Sequence, residues 1–136
     1  MQAVLSSGLP KADSFIALRA ACGWGEISLD CATRALHGGI ATVTAYDAGR
    51  LVGFGRVVGD GALYFYLQDI IVVPSHRGQG LAKAMVARLL TQIEPLTAPG
   101  ATIGLMAAKG VEPLYEPFGF VRRPSDTTGA GMTKGI

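Results

Sequence analysis

Hydrophobic and polar positions along the chain repeat with two different periods. In residues 11–22 the side chains of Phe15, Leu18 and Cys22 fall on one side of the backbone at helical spacing, so a helix is predicted there. A second short helix is predicted over residues 28–37, before a pair of glycines that is typical of a helix end. The first part of the chain is therefore predicted to be helical.

Beyond residue 39 the period changes to two, which predicts strands. Three strands joined by glycine-containing turns are predicted at residues 40–46, 50–58 and 63–73. A helix over residues 78–94 follows and ends at Pro95. Its apolar stripe consists of Ala82, Met85, Val86, Leu89, Leu90 and Ile93. The remaining predicted elements are a strand at 102–107, a short helix at 111–117, and closing strands at 120–122 and 132–134.

This order of elements predicts a mixed α/β fold, in which an antiparallel meander is followed by a β-α-β crossover. A chain of 136 residues is short for two well-buried domains, so residues 1–136 are predicted to form a single domain. Apolar residues make up 49% of the chain and charged residues 16%, a composition typical of a folded domain and not of a disordered one.

Charge, hydropathy and cysteine content exclude several classes of function. A net charge of +2 disfavours nucleic-acid binding. No apolar run approaches the roughly 20 residues that span a bilayer, and no basic segment of a signal peptide is present, so we expect a cytoplasmic protein with no membrane partner. Cys22 and Cys31 are expected to be plain buried or half-buried thiols. His37 is expected at a helix end and His76 in a solvent-facing loop, so no metal site is predicted.

The segment from Asp69 to Lys83 carries the most specific chemical signal. A strand stops at Pro74, a glycine-rich turn follows, and a helix begins at once, which leaves unpaired N–H groups at the positive end of the helix dipole. Gly78 and Gly80 allow an anion close to the backbone, so a phosphate or pyrophosphate ligand is predicted. Lys83 stands where both the P-loop pattern and the dinucleotide pattern require glycine, so neither pattern fits.

The turn and its flanks resemble the GNAT superfamily of N-acetyltransferases. The sequence of residues 77–82, Arg-Gly-Gln-Gly-Leu-Ala, matches the R-x-x-G-x-G/A signature of that family. Residues 69–74 look like its pantetheine-binding strand, and residues 114–120 look like its Y-x-x-x-G-F segment. The resemblance implies a mostly antiparallel central sheet that splays into a V, flanked by about four helices. It extends to small bacterial members and to a branch similar to plant serotonin N-acetyltransferase.

The resemblance also implies acetyl-CoA as co-substrate. In the family, the turn amides hold the pyrophosphate and the main chain of the preceding strand lies beside the pantetheine arm. The cofactor-binding residues implied in this chain are Ile71, Val72, Val73, Arg77, Gly78, Gln79, Gly80, Leu81, Ala82 and Lys83.

Two residues are candidates for proton transfer. Tyr115 occupies the place of the family's general acid, since a tyrosine still holds its proton at neutral pH. The alternative role for Tyr115 is packing beside Phe118 and Phe120. Many relatives carry a glutamate just before the cofactor strand, but this chain has Gln68, which cannot be a base. Asp69 is therefore the candidate base, and its alternative role is structural hydrogen bonding.

The acceptor is the least determined part of the prediction. Trp24, between two glycines, is either an anchor in the core or a wall of the acceptor pocket. The prediction is transfer of an acetyl group to a small primary amine, with an arylalkylamine worth testing, by direct attack in a ternary complex. The alternatives are a protein amine as acceptor, a non-catalytic acyl-CoA sensor, and a nucleotide-binding regulatory domain. The resemblance also favours a homodimer, because members of the family often dimerise through C-terminal strands.

Overall fold

A computed structural model describes residues 3–136 of the chain. The chain divides into two compact units, one ending at Leu105 and the other running from Met106 to Ile136. The first unit contains strands β1 Val4–Ser6, β2 Ala41–Asp47, β3 Arg50–Gly59, β4 Tyr64–Val72 and β5 Thr102–Leu105, and helices α1 Ala12–Ala21, α2 Leu29–His37 and α3 Leu81–Ile93. The second unit contains helix α4 Glu112–Tyr115, followed by a 3-10 turn at Glu116–Phe118. Further 3-10 turns lie at Pro74–His76 and Glu94–Leu96.

The five strands form one mixed sheet in the order β1-β2-β3-β4-β5. The first three pairs of neighbours are antiparallel, and β4 and β5 are parallel. Helix α3 makes the crossover between the two parallel strands. The mixed α/β fold with a mostly antiparallel sheet and four helices is thus confirmed.

The helices of the first unit cover opposite faces of the sheet. The ring of Phe15 in α1 packs edge-on against Phe54 in β3, with 5.2 Å between ring centroids. Helix α3 lies on the other face and approaches β3 closely at Gly53, where a Cβ atom would come within 2.9 Å of the sulfur of Met85. The glycines of β3 therefore leave room for α3, while larger side chains on the alternate positions meet α1.

Helix α3 begins three residues later than the pattern predicts. Gly78 and Gly80 both have a positive φ, which a right-handed helix does not contain, so the helix starts at Leu81. Leu81 is buried one turn before Met85 and takes the place that the prediction assigned to Ala82. The rest of the buried stripe agrees with the prediction at Met85, Val86, Leu89 and Ile93.

The strands at the two ends of the chain differ from the prediction. The edge strand β1 was not predicted, because three residues are too few to show a period of two; it forms by pairing with β2. The predicted strands at 120–122 and 132–134 are wrong, since within residues 3–136 no strand follows Leu105. Residue Arg122 instead pairs with Glu116 at 2.9 Å and holds the pKa of that carboxyl below its usual value. A strand needs a partner strand, and local sequence does not supply one.

Candidate active site

The glycine turn between β4 and α3 presents a row of free backbone donors. Within residues 3–136, none of the N–H groups of residues 78–83 donates to a protein acceptor, and the first helical N–H with a partner is that of Ala84, which bonds to Gly80 O at 3.0 Å. Gly78 and Gly80 have φ values of +74° and +82°, and nothing lies within 4 Å of where a Cβ atom would stand on either. The turn is therefore open, and its donors have the arrangement that binds an anion.

Two cations flank this turn. The side chains of Arg77 and Lys83 are exposed, as is Gln79 between them in sequence. Arg77 is also tied to the strand before it, because its Nε donates to Val72 O at 2.8 Å. The positive charges and the free N–H groups thus belong to one short segment. The structure places this predicted set of residues together at the end of β4 and the start of α3.

The strand that leads into the turn is buried and only partly paired with β5. Ile71, Val72 and Val73 are all buried, and Val73 N donates to Val52 O in β3 at 2.9 Å. The pairing between β4 and β5 ends at Leu67 and Leu105, so residues 68–72 of β4 run on beyond it. The two strands thus part on the side of the sheet that leads to the turn.

A β-bulge lies where the two strands part. Phe54 pairs with Ile71 and Arg56 pairs with Gln68, so two residues of β4 stand opposite the single residue Gly55 of β3. Asp69, one of the two, has a φ of +57°, in the left-handed region that asparagine and aspartate tolerate better than most residues. A bulge in this strand is also what the resemblance to the GNAT superfamily implies.

Asp69 is held at the bulge by two arginines. Its side chain is almost fully buried, and the whole residue is 3% exposed. Arg19 Nη1 donates to Oδ1 at 3.1 Å, and Arg56 Nε donates to Oδ2 at 2.7 Å. Arg56 also donates from Nη1 to the carbonyl of Ala35, at 2.7 Å, near the end of α2. The Asp69 carboxylate therefore links α1, α2, β3 and the bulge of β4.

This arrangement favours the structural role of Asp69 over the role of a base. Each carboxylate oxygen already accepts from a guanidinium, so a proton could be taken up only by disturbing an ion pair. Two guanidinium groups face this one carboxylate, so the cluster carries an excess of positive charge, and the Nε of Arg19 is buried without a partner in the described residues. The sequence leaves both roles of Asp69 open, and the neighbouring side chains distinguish them.

Trp24 is not an anchor in the core. It is 38% exposed and follows the end of α1 in a loop whose glycines, Gly23 and Gly25, both have a positive φ. The guanidinium of Arg19 lies 5.5 Å from the ring centroid of Trp24, and Arg19 Nη2 donates to the Trp24 carbonyl at 3.3 Å. The exposed indole and the arginine of the Asp69 cluster thus lie side by side.

Tyr115 ends helix α4 in the second unit and is buried. Its ring packs edge-on against Phe120, with 6.0 Å between centroids, so the predicted packing contact is present. Burial raises the pKa of the Tyr115 hydroxyl above its ordinary value. With its pKa raised, the hydroxyl holds its proton at neutral pH.

The histidines and cysteines have simple surroundings, with one exception. His37 Nδ1 donates to Thr33 O within α2, and Cys22 is half-buried, 3.7 Å from Val72 O. Cys31 is exposed, contrary to prediction, because it faces away from the sheet on the short helix α2. The expectation for His76 is wrong: its ring is largely shielded and bonds to Asp47. Among residues 3–136, no cluster of three or more His, Cys, Asp or Glu side chains could hold a metal ion.

Comparison with known protein families identifies the family of this chain. The family model described as an acetyltransferase (GNAT) domain matches residues 21–134, which include the bulge, the glycine turn and Tyr115. The chain belongs to the GNAT family. The predicted resemblance is thereby confirmed over most of the chain.

Individual GNAT relatives agree with this assignment. A GCN5-related N-acetyltransferase from the chloroplast of Arabidopsis thaliana is 38% identical over 81 residues, which are 59% of this chain and 40% of the relative. A chloroplastic serotonin N-acetyltransferase from rice, Oryza sativa, is 34% identical over 61% of this chain and 40% of its own length. The chain thus spans less than half the length of these two curated relatives.

A solved structure matches the whole chain. A probable acetyltransferase of unknown function from meticillin-resistant Staphylococcus aureus superposes with a TM-score of 0.89 at 29% identity, covering 98% of this chain and 99% of the other. The GNAT fold is therefore shared from end to end with a bacterial protein. In the part of this GNAT chain that the structure describes, no helix has the length and apolar character to cross a membrane.

Sequence reasoning missed Arg19 and Arg56, the two partners of Asp69. Arg19 lies 50 residues from Asp69 in the chain and Arg56 lies 13 residues away. One signal was available: Arg56 stands inside an otherwise apolar strand, where a buried cation requires an anion. That signal indicates that a partner exists but does not say which carboxylate it is.

Proposed function

We propose that this GNAT chain transfers the acetyl group of acetyl-CoA to a primary amine, by direct attack of the amine within a ternary complex. The observation that carries the proposal is the row of unpartnered N–H groups at residues 78–83, at the start of α3. A family member with this row intact retains what pyrophosphate binding requires.

The residues present fit acetyl-CoA. The amides of Gly78 to Lys83 are proposed to hold the pyrophosphate, with Arg77 and Lys83 adding positive charge. The main chain of residues 71–73 is proposed to run beside the pantetheine arm, on the side where β4 has parted from β5. The thioester itself supplies the activated acetyl group; the chain binds and orients it and excludes water.

The proton balance assigns Tyr115 as the general acid. Attack by a neutral amine on the thioester carbonyl forms the C–N bond and breaks the C–S bond, which releases a CoA thiolate. The thiolate takes a proton from the Tyr115 hydroxyl, the amine nitrogen loses its proton to water, and Tyr115 regains a proton from water. Because burial raises its pKa, the Tyr115 hydroxyl holds its proton at neutral pH and is able to donate it. The amine must arrive neutral, and with a lysine-like pKa only about 0.1% is neutral near pH 7.4. We propose no side-chain base, since Asp69 is occupied by two arginines.

The acceptor is proposed to be a small amine with an apolar or aromatic body. Two things support this: the exposed Trp24, and the name of the rice relative, a serotonin N-acetyltransferase. Because fold and cofactor motifs transfer between relatives better than substrate choice, the acceptor class needs its own test.

The test measures binding first and turnover second. Acetyl-CoA at about 100 times its dissociation constant should stabilise the chain by about 2.7 kcal/mol. For a domain of this size the unfolding midpoint then rises by about 10 °C. Thiol release is next followed with arylalkylamines, polyamines and lysine peptides. Binding with no thiol release from any amine would favour the sensor role, and a cooperative transition that acetyl-CoA does not move would refute the proposal.

Replacing Tyr115 by phenylalanine tests the acid. The change removes the hydroxyl and keeps the ring on Phe120, so kcat should fall by about 10²-fold with little change in acetyl-CoA affinity. Because burial raises its pKa, Tyr115 should also cause no loss of kcat below about pH 10. The matched control is Tyr64→Phe, on an exposed tyrosine at the start of β4. Equal turnover of both variants across pH 6–9 would exclude the acid role.

A further inference from the structure

His76 connects the segment before the glycine turn to a distant hairpin. It ends the 3-10 turn Pro74–His76, two residues before Gly78. Its Nε2 lies 2.7 Å from Oδ2 of Asp47, the last residue of β2, at the tip of the β2–β3 hairpin. The side chains are only 16% and 28% exposed, so water competes less for this hydrogen bond than for a pair on the open surface.

The hydrogen bond persists in either protonation state of His76. The Asp47 carboxylate only accepts, so Nε2 carries the proton that is donated to it. The other ring nitrogen, Nδ1, lies 2.8 Å from the hydroxyl of Ser75. A hydroxyl donates to a neutral imidazole and accepts from a protonated one, so both forms of the ring are satisfied. The hydrogen bond between His76 and Asp47 therefore holds the two segments together and does not act as a pH switch.

The hydrogen bond between His76 and Asp47 lies next to the backbone segment that leads into the glycine turn. His76 N donates to Val73 O at 3.0 Å and Arg77 Nε donates to Val72 O at 2.8 Å, which anchors the chain to the end of β4. On the far side, α3 is packed onto the sheet from Leu81 onward. Residues 78–80 between these anchors are exposed. Among the described residues, His76 is the one member of segment 74–80 whose side chain hydrogen-bonds to an element other than β4 or α3.

We propose that His76 is a positioning residue for acetyl-CoA. Its hydrogen bond to Asp47 fixes the backbone conformation of the segment that leads into residues 77–83. The N–H groups of residues 77–83 are thereby oriented toward the pyrophosphate. The inference rests on the proposed function, because it presumes that these donors bind acetyl-CoA. His76 does not contact the reacting atoms in this proposal. Its effect falls on the binding of acetyl-CoA and not on the chemical step.

The decisive experiment compares His76→Ala with the wild type in acetyl-CoA binding and in steady-state kinetics. Loss of a partly shielded, charge-assisted hydrogen bond is expected to raise the Kd and the KM for acetyl-CoA about tenfold. The kcat should change less than about twofold, because uniform binding is lost and the chemical step is not altered. Asp47→Asn keeps an acceptor oxygen and should restore most of the affinity that Asp47→Ala loses. The double variant His76→Ala with Asp47→Ala should be no worse than either single one.

The control and the other outcomes separate this inference from the proposed function. His37→Ala removes the same side chain from α2, where its partner is Thr33 O, and should leave the Kd for acetyl-CoA unchanged. If the wild type binds no acetyl-CoA, the proposed function itself is wrong. If the wild type binds and the His76 and Asp47 variants bind equally well, the positioning role is overturned and the proposed function stands. Should His76→Ala not fold, the comparison of Asp47→Asn with Asp47→Ala decides the question in the same way.

Discussion

Gly80→Val is expected to lower acetyl-CoA affinity by at least 10²-fold. Gly80 has a φ of +82° and caps α3, and the space around its missing Cβ is empty of protein atoms. A branched side chain there stands in the path of the pyrophosphate and strains the backbone by roughly 1–2 kcal/mol, which tilts the neighbouring N–H groups. The measurement is the Kd for acetyl-CoA, together with the rise in unfolding midpoint at saturating acetyl-CoA, which should vanish in the variant.

The matched control for Gly80 is Gly100→Val. Gly100 has a φ of +85° and an equally empty surrounding, but it lies in the loop before β5, so its variant carries the same backbone strain without touching the turn. Affinity for S-acetylpantetheine, which lacks the pyrophosphate, should be alike in Gly80→Val and the wild type. If the two glycine variants lose acetyl-CoA affinity to the same extent, or if Gly80→Val retains it, residues 78–83 do not form the pyrophosphate site.

Asp69→Asn is expected to destabilise the fold by about 3 kcal/mol. The two carboxylate oxygens accept from different arginines, so the amide of asparagine must turn its NH2 group toward one guanidinium. Asparagine tolerates the φ of +57°, which means that the loss reports on the ion pairs and not on the backbone. For a chain of this length the unfolding midpoint should fall by about 10 °C. The Kd for acetyl-CoA should rise as well, because the bulge in the cofactor strand loosens.

The control for Asp69 is Asp30→Asn, which breaks the exposed pair between Asp30 and Arg34 on α2. An exposed helical pair contributes little, so its loss should change stability by less than about 0.5 kcal/mol. The opposite result for Asp69→Asn would restore the base role of Asp69. In that case Asp69→Asn would keep the wild-type unfolding midpoint and acetyl-CoA affinity, while kcat alone would collapse.

The elements nearest the site were the easiest to predict. Helix α3 shows a long apolar stripe, and the turn before it contains two glycines whose positive φ values few other residues would adopt. Such features depend on residues that are neighbours in the chain, so periodicity and residue type suffice. The limits of α3 were less well predicted, because the same glycines that form the turn keep the helix from starting before Leu81.

The elements that were missed all depend on a distant partner. Strand β1 forms only because β2 lies beside it, and the predicted strands at 120–122 and 132–134 have no such neighbour. His76 was expected to face solvent, yet the hairpin tip brings Asp47 to it from 29 residues away in sequence. Exposure and pairing of such residues follow from the register of the sheet, which local sequence does not specify.

The sequence by itself determined the family, the mixed α/β fold and the location of the glycine turn, because each is encoded in residues adjacent in the chain. The tertiary structure decided which groups contact the carboxylate of Asp69. An aspartate at that position is chemically suited to take a proton or to hold a bulge, and the choice depends on whether its oxygens are free. Folding brings Arg19 and Arg56 to those oxygens from separate elements. Burial then makes the two ion pairs costly to break, which favours the structural role of the carboxylate.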